Sequence, residues 1–151
     1  MDAGRTTSAG LWRFARDYSV AGGIVANAAK DKYSDPAYFL YGRSIELALK
    51  AFLVARGVSY SELRGRAYGH DLVALLRRAR RHRLGQFAKI SPTEMKALAL
   101  LNEHYSSKRF EYIVTGFFSV PDFFGIQLFT HQLVSALKDF CIRSTYGKVP
   151  A

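Results

Sequence analysis

The sequence predicts an all-α fold, a single-domain up-and-down bundle of about five helices. Apolar residues recur at steps of three and four along most of the chain, and helix-start and helix-stop residues bound several of these segments. The 151 residues suffice for one domain with a real core, and 49% hydrophobic with 23% charged residues is typical of a globular protein. We expect a disordered N-terminus over residues 1–9 and one helical domain over residues 10–147.

The most apolar segment, residues 34–57, is predicted to be the central helix. Ser34 and Asp35 precede Pro36, an arrangement that favours a helix start. Gly57 suits the left-handed conformation that often follows a last turn. Because apolar side chains fall on nearly every face between these ends, the helix is expected to be packed on several sides.

Four other segments have the period of amphipathic helices: residues 11–29, 69–83, 91–105 and 122–144. Ser, Pro and Glu at positions 91, 92 and 94 indicate a capped start for the third of these. In the first and last helices the inward side chains are predicted to be Leu11, Phe14, Tyr18, Ala21, Val25 and Ala28, and Leu128, Leu133, Leu137 and Phe140 or Cys141.

The helical pattern is interrupted at two places. The Gly22-Gly23 pair is expected to weaken the first helix or to let another backbone come close. Residues 106–123 contain an aromatic and β-branched run, which favours an irregular or short extended excursion over a helix.

The charge of the chain is strongly positive and unevenly distributed. The formal net charge is +10, and residues 56–89 carry nine Lys and Arg against two acidic residues, a net +7. Such clustering favours a polyanionic partner, most often nucleic acid, or an acidic membrane or protein surface. No apolar run is long enough to cross a bilayer, and the N-terminus lacks the layout of a signal peptide. A single cysteine, Cys141, permits no internal disulfide, so we expect a cytoplasmic protein.

Three charged residues share one side of the otherwise apolar central helix. Arg43, Glu46 and Lys50 are spaced i, i+3, i+7 and therefore project together. Buried charges require partners. The strip is either the place where the central helix meets water or a polar seam that lines a functional cleft.

Two further segments carry candidate binding chemistry. His70 and Asp71 stand at a predicted helix start, where they either contact an anion near free backbone N–H groups or cap their own helix. In the segment after the fourth helix, Lys108, Arg109 and Tyr112 combine cations with rings, as in nucleotide or single-stranded RNA recognition. The alternative is that Arg109 pairs with a carboxylate and that the rings belong to the core.

Several kinds of chemistry have no support in the sequence. The four histidines are far apart in the chain and have no cysteine companions, so no metal site is predicted. A phosphate-cradling glycine loop and a G-x-S-x-G elbow are both missing from the sequence. We therefore expect no cofactor and no hydrolysis by a serine or cysteine nucleophile.

Three motifs, taken in order, resemble the HEPN family (higher eukaryotes and prokaryotes nucleotide-binding domain). They are RSIELALKA at residues 43–51, GHDL at residues 69–72, and Tyr105 followed by RFEY at residues 109–112. The resemblance spans roughly residues 38–112. It implies an all-α, commonly dimeric domain of the kind frequent in bacterial toxin–antitoxin and phage-defence systems.

The resemblance also implies what such a domain does. Many members are metal-independent RNases that pair an Arg with a His a few residues later, and two pairs here have that spacing, Arg64 with His70 and Arg77 with His82. The GHDL motif is closer to members that bind nucleotides or partners without cutting RNA. The leading hypothesis is therefore a domain that binds nucleotide or RNA phosphate in a basic cleft built from Arg43, Glu46, Lys50, His70, Asp71, Lys108, Arg109 and Tyr112.

Two alternatives remain open. One is a metal-independent RNase in which His70 or His82 acts as acid and base and Arg64 or Arg77 stabilises the charge on phosphorus. The other is a non-catalytic interaction module, antitoxin-like or dimerising, that uses the apolar segment FFSVPDFF at residues 117–124. A homodimer or a complex with a partner protein is expected in either case.

Overall fold

The computed structural model describes residues 5–30, 34–65, 67–107 and 120–147. Within these ranges the chain forms six α-helices and no β-strand, so the prediction of an all-α helical bundle is confirmed. Five helices are long and correspond to the five predicted, and the sixth is a single short turn. The helices are α1 (Ser8–Ala28), α2 (Asp35–Ala55), α3 (Tyr60–Leu63), α4 (Leu72–Arg81), α5 (Pro92–Ser106) and α6 (Phe123–Tyr146).

Helix α2 is the centre of the bundle, as its sequence predicts. It packs against all five of the other helices, and most of its residues are buried. The Ser34 side chain accepts a hydrogen bond from the Ala37 backbone N–H, and Pro36 lies in the first turn. Gly57, just beyond the end of the helix, has a φ of 95°, in the left-handed region that favours glycine.

Helix α1 begins inside the stretch for which the sequence predicts a disordered N-terminus. Residues 1–4 lie outside the described part of the chain, but Thr7 caps α1 by accepting a hydrogen bond from Gly10 N–H. Ser8 and Ala9 are buried, and the Ser8 hydroxyl donates to the Ala51 carbonyl at 2.7 Å. Contact with α2 therefore holds the first turn of α1 in place.

The predicted inward face of α1 is wrong in part: Leu11 is buried and Tyr18 packs against the core, but Phe14 does not. Phe14 is 55% exposed, and the buried side of the helix carries Trp12, Ala15, Ser19 and Gly22. The physical reason is close packing: a Cβ on Gly22 would lie 2.8 Å from the Tyr41 ring of α2. Helix α1 continues unbroken through the glycine pair, and the group that approaches there is a ring, not a backbone. From Ala15 to Gly22 the buried residues are small, because small side chains let α1 pack closely against α2.

Helix α6 presents a face that differs in part from the predicted one. Leu133, Leu137 and Cys141 are buried as predicted, and Asp122 caps the helix by accepting from Gly125 N–H at 2.9 Å. Leu128 was expected inside but is 59% exposed, because Ile126 and Phe129 on either side of it fill the core.

The remaining elements complete the bundle. Asp71 caps α4 by accepting from Ala74 N–H, so α4 starts later than residue 69. The capping box of α5 is formed by Ser91 and Glu94 as predicted. Most of the predicted excursion at residues 106–123 lies outside the described residues, which resume at position 120. No helix in the described ranges has the length and apolarity that crossing a bilayer would require.

Candidate functional site

The side chain of Glu46 is completely buried in the middle of α2 and accepts four hydrogen bonds. Its Oε2 accepts from Arg43 Nη1 at 2.7 Å and from Lys50 Nζ at 2.8 Å. Its Oε1 accepts from His70 Nδ1 at 2.8 Å and from the Tyr105 hydroxyl at 2.7 Å. These five residues, Arg43, Glu46, Lys50, His70 and Tyr105, are called the Glu46 cluster below.

Three parts of the chain position the Glu46 cluster. Helical spacing places Arg43 and Lys50 one turn before and one turn after Glu46. The turn that leads into α4 delivers His70, and Lys50 Nζ fixes this turn by donating to the Gly69 carbonyl at 3.2 Å.

Helix α5 supplies Tyr105 through a tight contact with α2. A Cβ on Gly42 would lie 2.4 Å from the Tyr105 ring, so only glycine leaves room for the ring at this point. The ring also meets His70 edge-on, with 5.9 Å between ring centroids. The Tyr105 hydroxyl can therefore reach a carboxylate that belongs to a different helix.

Asp71 lies beside the cluster but serves the helix that follows it. Its carboxylate accepts from Ala74 N–H and from Asn102 Nδ2, both at 3.0 Å. Asn102 in turn accepts from Leu72 N–H at 2.8 Å, which ties the start of α4 to α5. Of the two interpretations of the His70-Asp71 pair, the capping one describes Asp71, while His70 is directed to Glu46.

The electrostatics of the cluster keep Glu46 ionised. Burial by itself would raise the pKa of Glu46, but the positive charges of Lys50 and Arg43 and the hydrogen bonds from Lys50 and His70 outweigh it and hold the pKa below its ordinary value. Burial and the neighbouring Glu46 raise the pKa of Tyr105, so its hydroxyl stays protonated and donates. With Glu46 as the one carboxylate between Arg43 and Lys50, the cluster carries a net positive charge.

Exposure separates the members of the cluster into two groups. The Lys50 side chain is 6% exposed, and Glu46 and Tyr105 are buried. By contrast, 31% of the Arg43 side chain and 42% of the His70 side chain are exposed. A solute could therefore contact Arg43 and His70, whereas the other three residues lie behind them.

The hydrogen bond from His70 also selects the tautomer of its neutral ring. An ionised carboxylate only accepts, so the proton on His70 must be at Nδ1. In the neutral ring Nε2 then carries the free lone pair. The imidazole is thus held in one tautomer by a buried group, and its second nitrogen is available for an acid–base or hydrogen-bonding role.

The structure brings together half of the residues predicted for the cleft. Arg43, Glu46, Lys50 and His70 meet, and Asp71 is adjacent. Lys108, Arg109 and Tyr112 lie outside the described residues.

The other residues proposed for RNase chemistry are not members of the Glu46 cluster. Arg64 and Arg77 are exposed, on the turn after α3 and on α4. His82 follows α4, and its carbonyl accepts from Arg56 Nε at 3.0 Å. Among the described residues, no group of His, Cys, Asp and Glu side chains is arranged to hold a metal ion.

Tyr105 is the functional-site candidate that the sequence-based choice of residues omits. It belongs to one of the three motifs, but its role as a donor depends on how α5 docks against α2. The available signal was a hydroxyl on the inward face of a predicted helix, which needs a partner when buried.

The fold and the site together describe an all-α domain in which one buried carboxylate, Glu46, binds residues from α2, from the turn before α4 and from α5. A comparison with protein-family models identifies it: the HEPN domain matches residues 25–119, and the chain belongs to this family. No curated protein sequence and no solved structure gave a match.

Proposed function

We propose that this domain binds the phosphate group of a nucleotide or of RNA in a basic cleft formed at the Glu46 cluster. The observation that carries the proposal is that a fully buried carboxylate holds Arg43 and His70 while leaving the outer part of both side chains exposed. Within the proposal Arg43 supplies charge and His70 a hydrogen bond.

Arg43 is suited to anion binding because its side chain is preorganised by Glu46. Arg43 uses Nη1 for Glu46 and also interacts with the Tyr18 and Tyr105 side chains, and the N–H groups on the exposed part of its planar guanidinium suit a phosphate oxygen. Because Glu46 already orders the Arg43 side chain, the protein loses less conformational entropy when an anion binds there. The net positive charge of the cluster adds a general attraction for anions.

The buried members act through their neighbours in this proposal. Lys50 contributes charge and holds Glu46 but is too buried to touch a ligand. Asp71 positions the start of α4 and thereby His70. Lys108, Arg109 and Tyr112 follow Tyr105 by three, four and seven residues, and we propose that they complete the cleft with further charge and a stacking ring.

The biological setting is also a proposal, and it is based on what is typical of the family. A nucleotide- or RNA-binding HEPN domain fits a bacterial toxin–antitoxin or phage-defence system in the cytoplasm. The domain would act there as a homodimer or with a partner protein.

Titration of labelled RNA and of nucleotides tests the proposal. Arg43→Ala is expected to weaken binding about tenfold or more, which corresponds to the loss of about one charge-assisted hydrogen-bond pair. Arg43→Lys should recover only part of the affinity, since it keeps a cation for Glu46 but loses the planar fork. Arg143→Ala removes an exposed arginine from α6, outside the basic segment of residues 56–89, and serves as the control. Equal affinity of wild type and Arg43→Ala, or no binding by either, contradicts the proposal, and Arg109→Ala tests the part of the cleft after α5.

A second candidate function is a metal-independent RNase, and the orientation of His70 favours it. A histidine held at Nδ1 by a carboxylate and exposed at its other edge is suited to acid–base catalysis. Arg64 or Arg77 would then stabilise charge on the phosphorus. RNA incubated with the protein and EDTA should be cut by wild type and left intact by His70→Asn, whose amide still donates to Glu46. RNA that survives a high concentration of wild type rules out this function.

A third candidate function is an interaction module, for which α6 offers one observation. Phe124 and Leu128, one turn apart, are both exposed. Phe123 and Pro121 are instead docked on Tyr38, whose hydroxyl donates to the Pro121 carbonyl at 2.6 Å. If this face of α6 mediates self-association, Leu128→Ser lowers the mass measured by sedimentation, and a wild type that is monomeric at high concentration contradicts it.

A further inference from the structure

A second feature is a cavity that Arg43 lines and His70 does not. It has a volume of about 450 Å³ and lies between the first turns of α1, the Arg43 and Leu47 side of α2, and Tyr60 at the start of α3. Small-molecule sites in proteins commonly have volumes of about 300–1,000 Å³, so this cavity is large enough for a nucleotide-sized ligand. We call it the α1 cavity; its lining is Arg5, Thr6, Thr7, Gly10, Leu11, Arg13, Phe14, Tyr18, Arg43, Leu47 and Tyr60.

The charged side chains that line the α1 cavity are positive. Among the residues that the structure describes, its lining contains three arginines, Arg5, Arg13 and Arg43, and neither Asp nor Glu. The carboxylate that neutralises part of the Arg43 charge, Glu46, is buried behind it rather than in the cavity. An anion in the α1 cavity would therefore meet the guanidinium groups of Arg13 and Arg43.

The aromatic rings of the α1 cavity indicate that the ligand also has a planar ring system. Phe14 is exposed although it is large and apolar, and it lies on the same wall as Tyr18. The Arg43 guanidinium lies over the Tyr18 ring at 6.0 Å, so a cation and a ring already adjoin there. Aromatic side chains next to arginines are the combination that stacks on a base while holding its phosphate.

We propose that the α1 cavity binds one phosphorylated nucleoside, with its base against Phe14 and Tyr18 and its phosphate on Arg13 and Arg43. The proposal rests on the proposed function, because Arg43 is shared, and it adds a binding site for the nucleoside part and residues that the Glu46 cluster does not contain. It also gives a reason for the exposure of Phe14: the ring is covered when the ligand binds. The ligand is either a free nucleotide or the 5′-phosphorylated end of an RNA strand, and both present the same chemistry.

Isothermal titration calorimetry with adenosine monophosphate, adenosine and inorganic phosphate tests the proposal. We expect adenosine monophosphate to bind more tightly than either component alone. Phe14→Ala and Arg13→Ala should each weaken binding about tenfold, the range expected for one stacked base or one phosphate contact. Both residues are exposed on α1, so these variants should fold. Ile24→Ala and Arg81→Ala are the controls, because they remove exposed residues of similar chemistry outside the α1 cavity.

The outcomes separate this inference from the proposed function. A wild type that binds neither adenosine monophosphate nor a 5′-phosphorylated oligonucleotide, or Phe14→Ala with wild-type affinity for whichever of the two binds, overturns the inference. If RNA binding nevertheless depends on Arg43 and His70, the Glu46 cluster retains its role. A 5′-phosphorylated oligonucleotide that binds while the mononucleotide and a 5′-hydroxyl oligonucleotide do not identifies the strand end as the ligand and supports the cavity as its site. If Arg43→Ala and Phe14→Ala both bind with wild-type affinity, both proposals are contradicted.

Discussion

Replacing Glu46 with glutamine should destabilise the fold more than any exposed charge substitution in this protein. The change keeps the shape of the side chain but removes its charge and turns one acceptor into an N–H₂ donor. Lys50, which is 6% exposed, would then lose its counter-charge in a buried position, whichever way the amide is turned. Arg43, less buried, would lose its partner as well.

The size of the effect follows from the burial of the pair. Removal of one partner from a buried ion pair costs about 3–5 kcal/mol. For a domain of this length, about 1 kcal/mol shifts the melting temperature by about 2–4 °C, so Glu46→Gln should melt about 6–20 °C below wild type. Lys50→Met combined with Glu46→Gln should be less destabilised than the sum of the two single variants, because the double variant leaves no unpaired buried lysine.

Thermal and denaturant unfolding measured by circular dichroism checks this prediction. Glu62→Gln is the matched control: its carboxylate pairs with Arg78 but is largely exposed, so its loss should change stability little. A melting temperature for Glu46→Gln that matches the Glu62→Gln control, or exact additivity in the Lys50 cycle, would refute the reasoning.

The pH dependence provides a second test with a definite sign. Glu46 has a folded pKa below its ordinary value of 4.5, so its charge stabilises the fold above that pH. This contribution is lost as the pH falls through the folded pKa, because protonation neutralises Glu46 in both states. The stability difference between wild type and Glu46→Gln should therefore be full near neutral pH and shrink in acid below pH 4.5. A difference that stays constant into strong acid would show that the charge of Glu46 is not its cause.

Three other substitutions test the packing and polar contacts around the site. Gly42→Ala should destabilise by about 1–3 kcal/mol despite the higher helix propensity of alanine, because its Cβ would meet the Tyr105 ring at 2.4 Å; Gly85→Ala, with open space around its Cβ, is the control, and unfolding that is unchanged in Gly42→Ala would mean that the ring yields freely. Tyr105→Phe should cost about 1–3 kcal/mol in urea unfolding, since Glu46 Oε1 loses one of its two donors, and a neutral result would imply that water replaces the hydroxyl. Ser91→Ala should cost about 1 kcal/mol through loss of the α5 capping box, and a melting temperature equal to wild type would contradict the cap.

The elements that sequence could predict are those set by local chemistry. The start of α2 follows from Ser34 and Pro36, and the capping box of α5 from Ser91 and Glu94, because these side chains act on backbone groups within one turn. The pairing of Glu46 with cations on its own helix is equally local.

The inner face of α1 could not be predicted in the same way. Two stripes of that helix share one period, and the preference for large inward side chains selects the stripe that contains Phe14. The bundle instead buries the stripe of Ala15, Ser19 and Gly22, since close contact with Tyr41 requires small residues. This choice depends on the shape of another helix, so it is tertiary information that periodicity does not contain.

One carboxylate oxygen of Glu46 makes contacts within its own helix, and the other makes contacts that require tertiary structure. Oε2 receives Arg43 and Lys50 from α2 itself, so an isolated α2 helix could form these contacts. Oε1 receives His70 and Tyr105, which reach it only when the start of α4 and the end of α5 are docked. The three motifs that resemble the HEPN family are therefore linked through one carboxylate, although the chain separates them by tens of residues.

This division couples the proposed ligand site to the assembly of the bundle. In the unfolded chain Arg43 and His70 are not held together, so an anion that contacts both binds the folded state in preference. Such a ligand must raise the melting temperature with its concentration. It should do so through α4 and α5 as well as α2, because His70 is fixed only when all three helices surround Glu46. Titration with a 5′-hydroxyl RNA oligonucleotide, which lacks the terminal phosphate proposed for the α1 cavity, followed by thermal unfolding should therefore show stabilisation in wild type and much less in His70→Ala. Stabilisation of equal size in both proteins would place the ligand away from the Glu46 cluster.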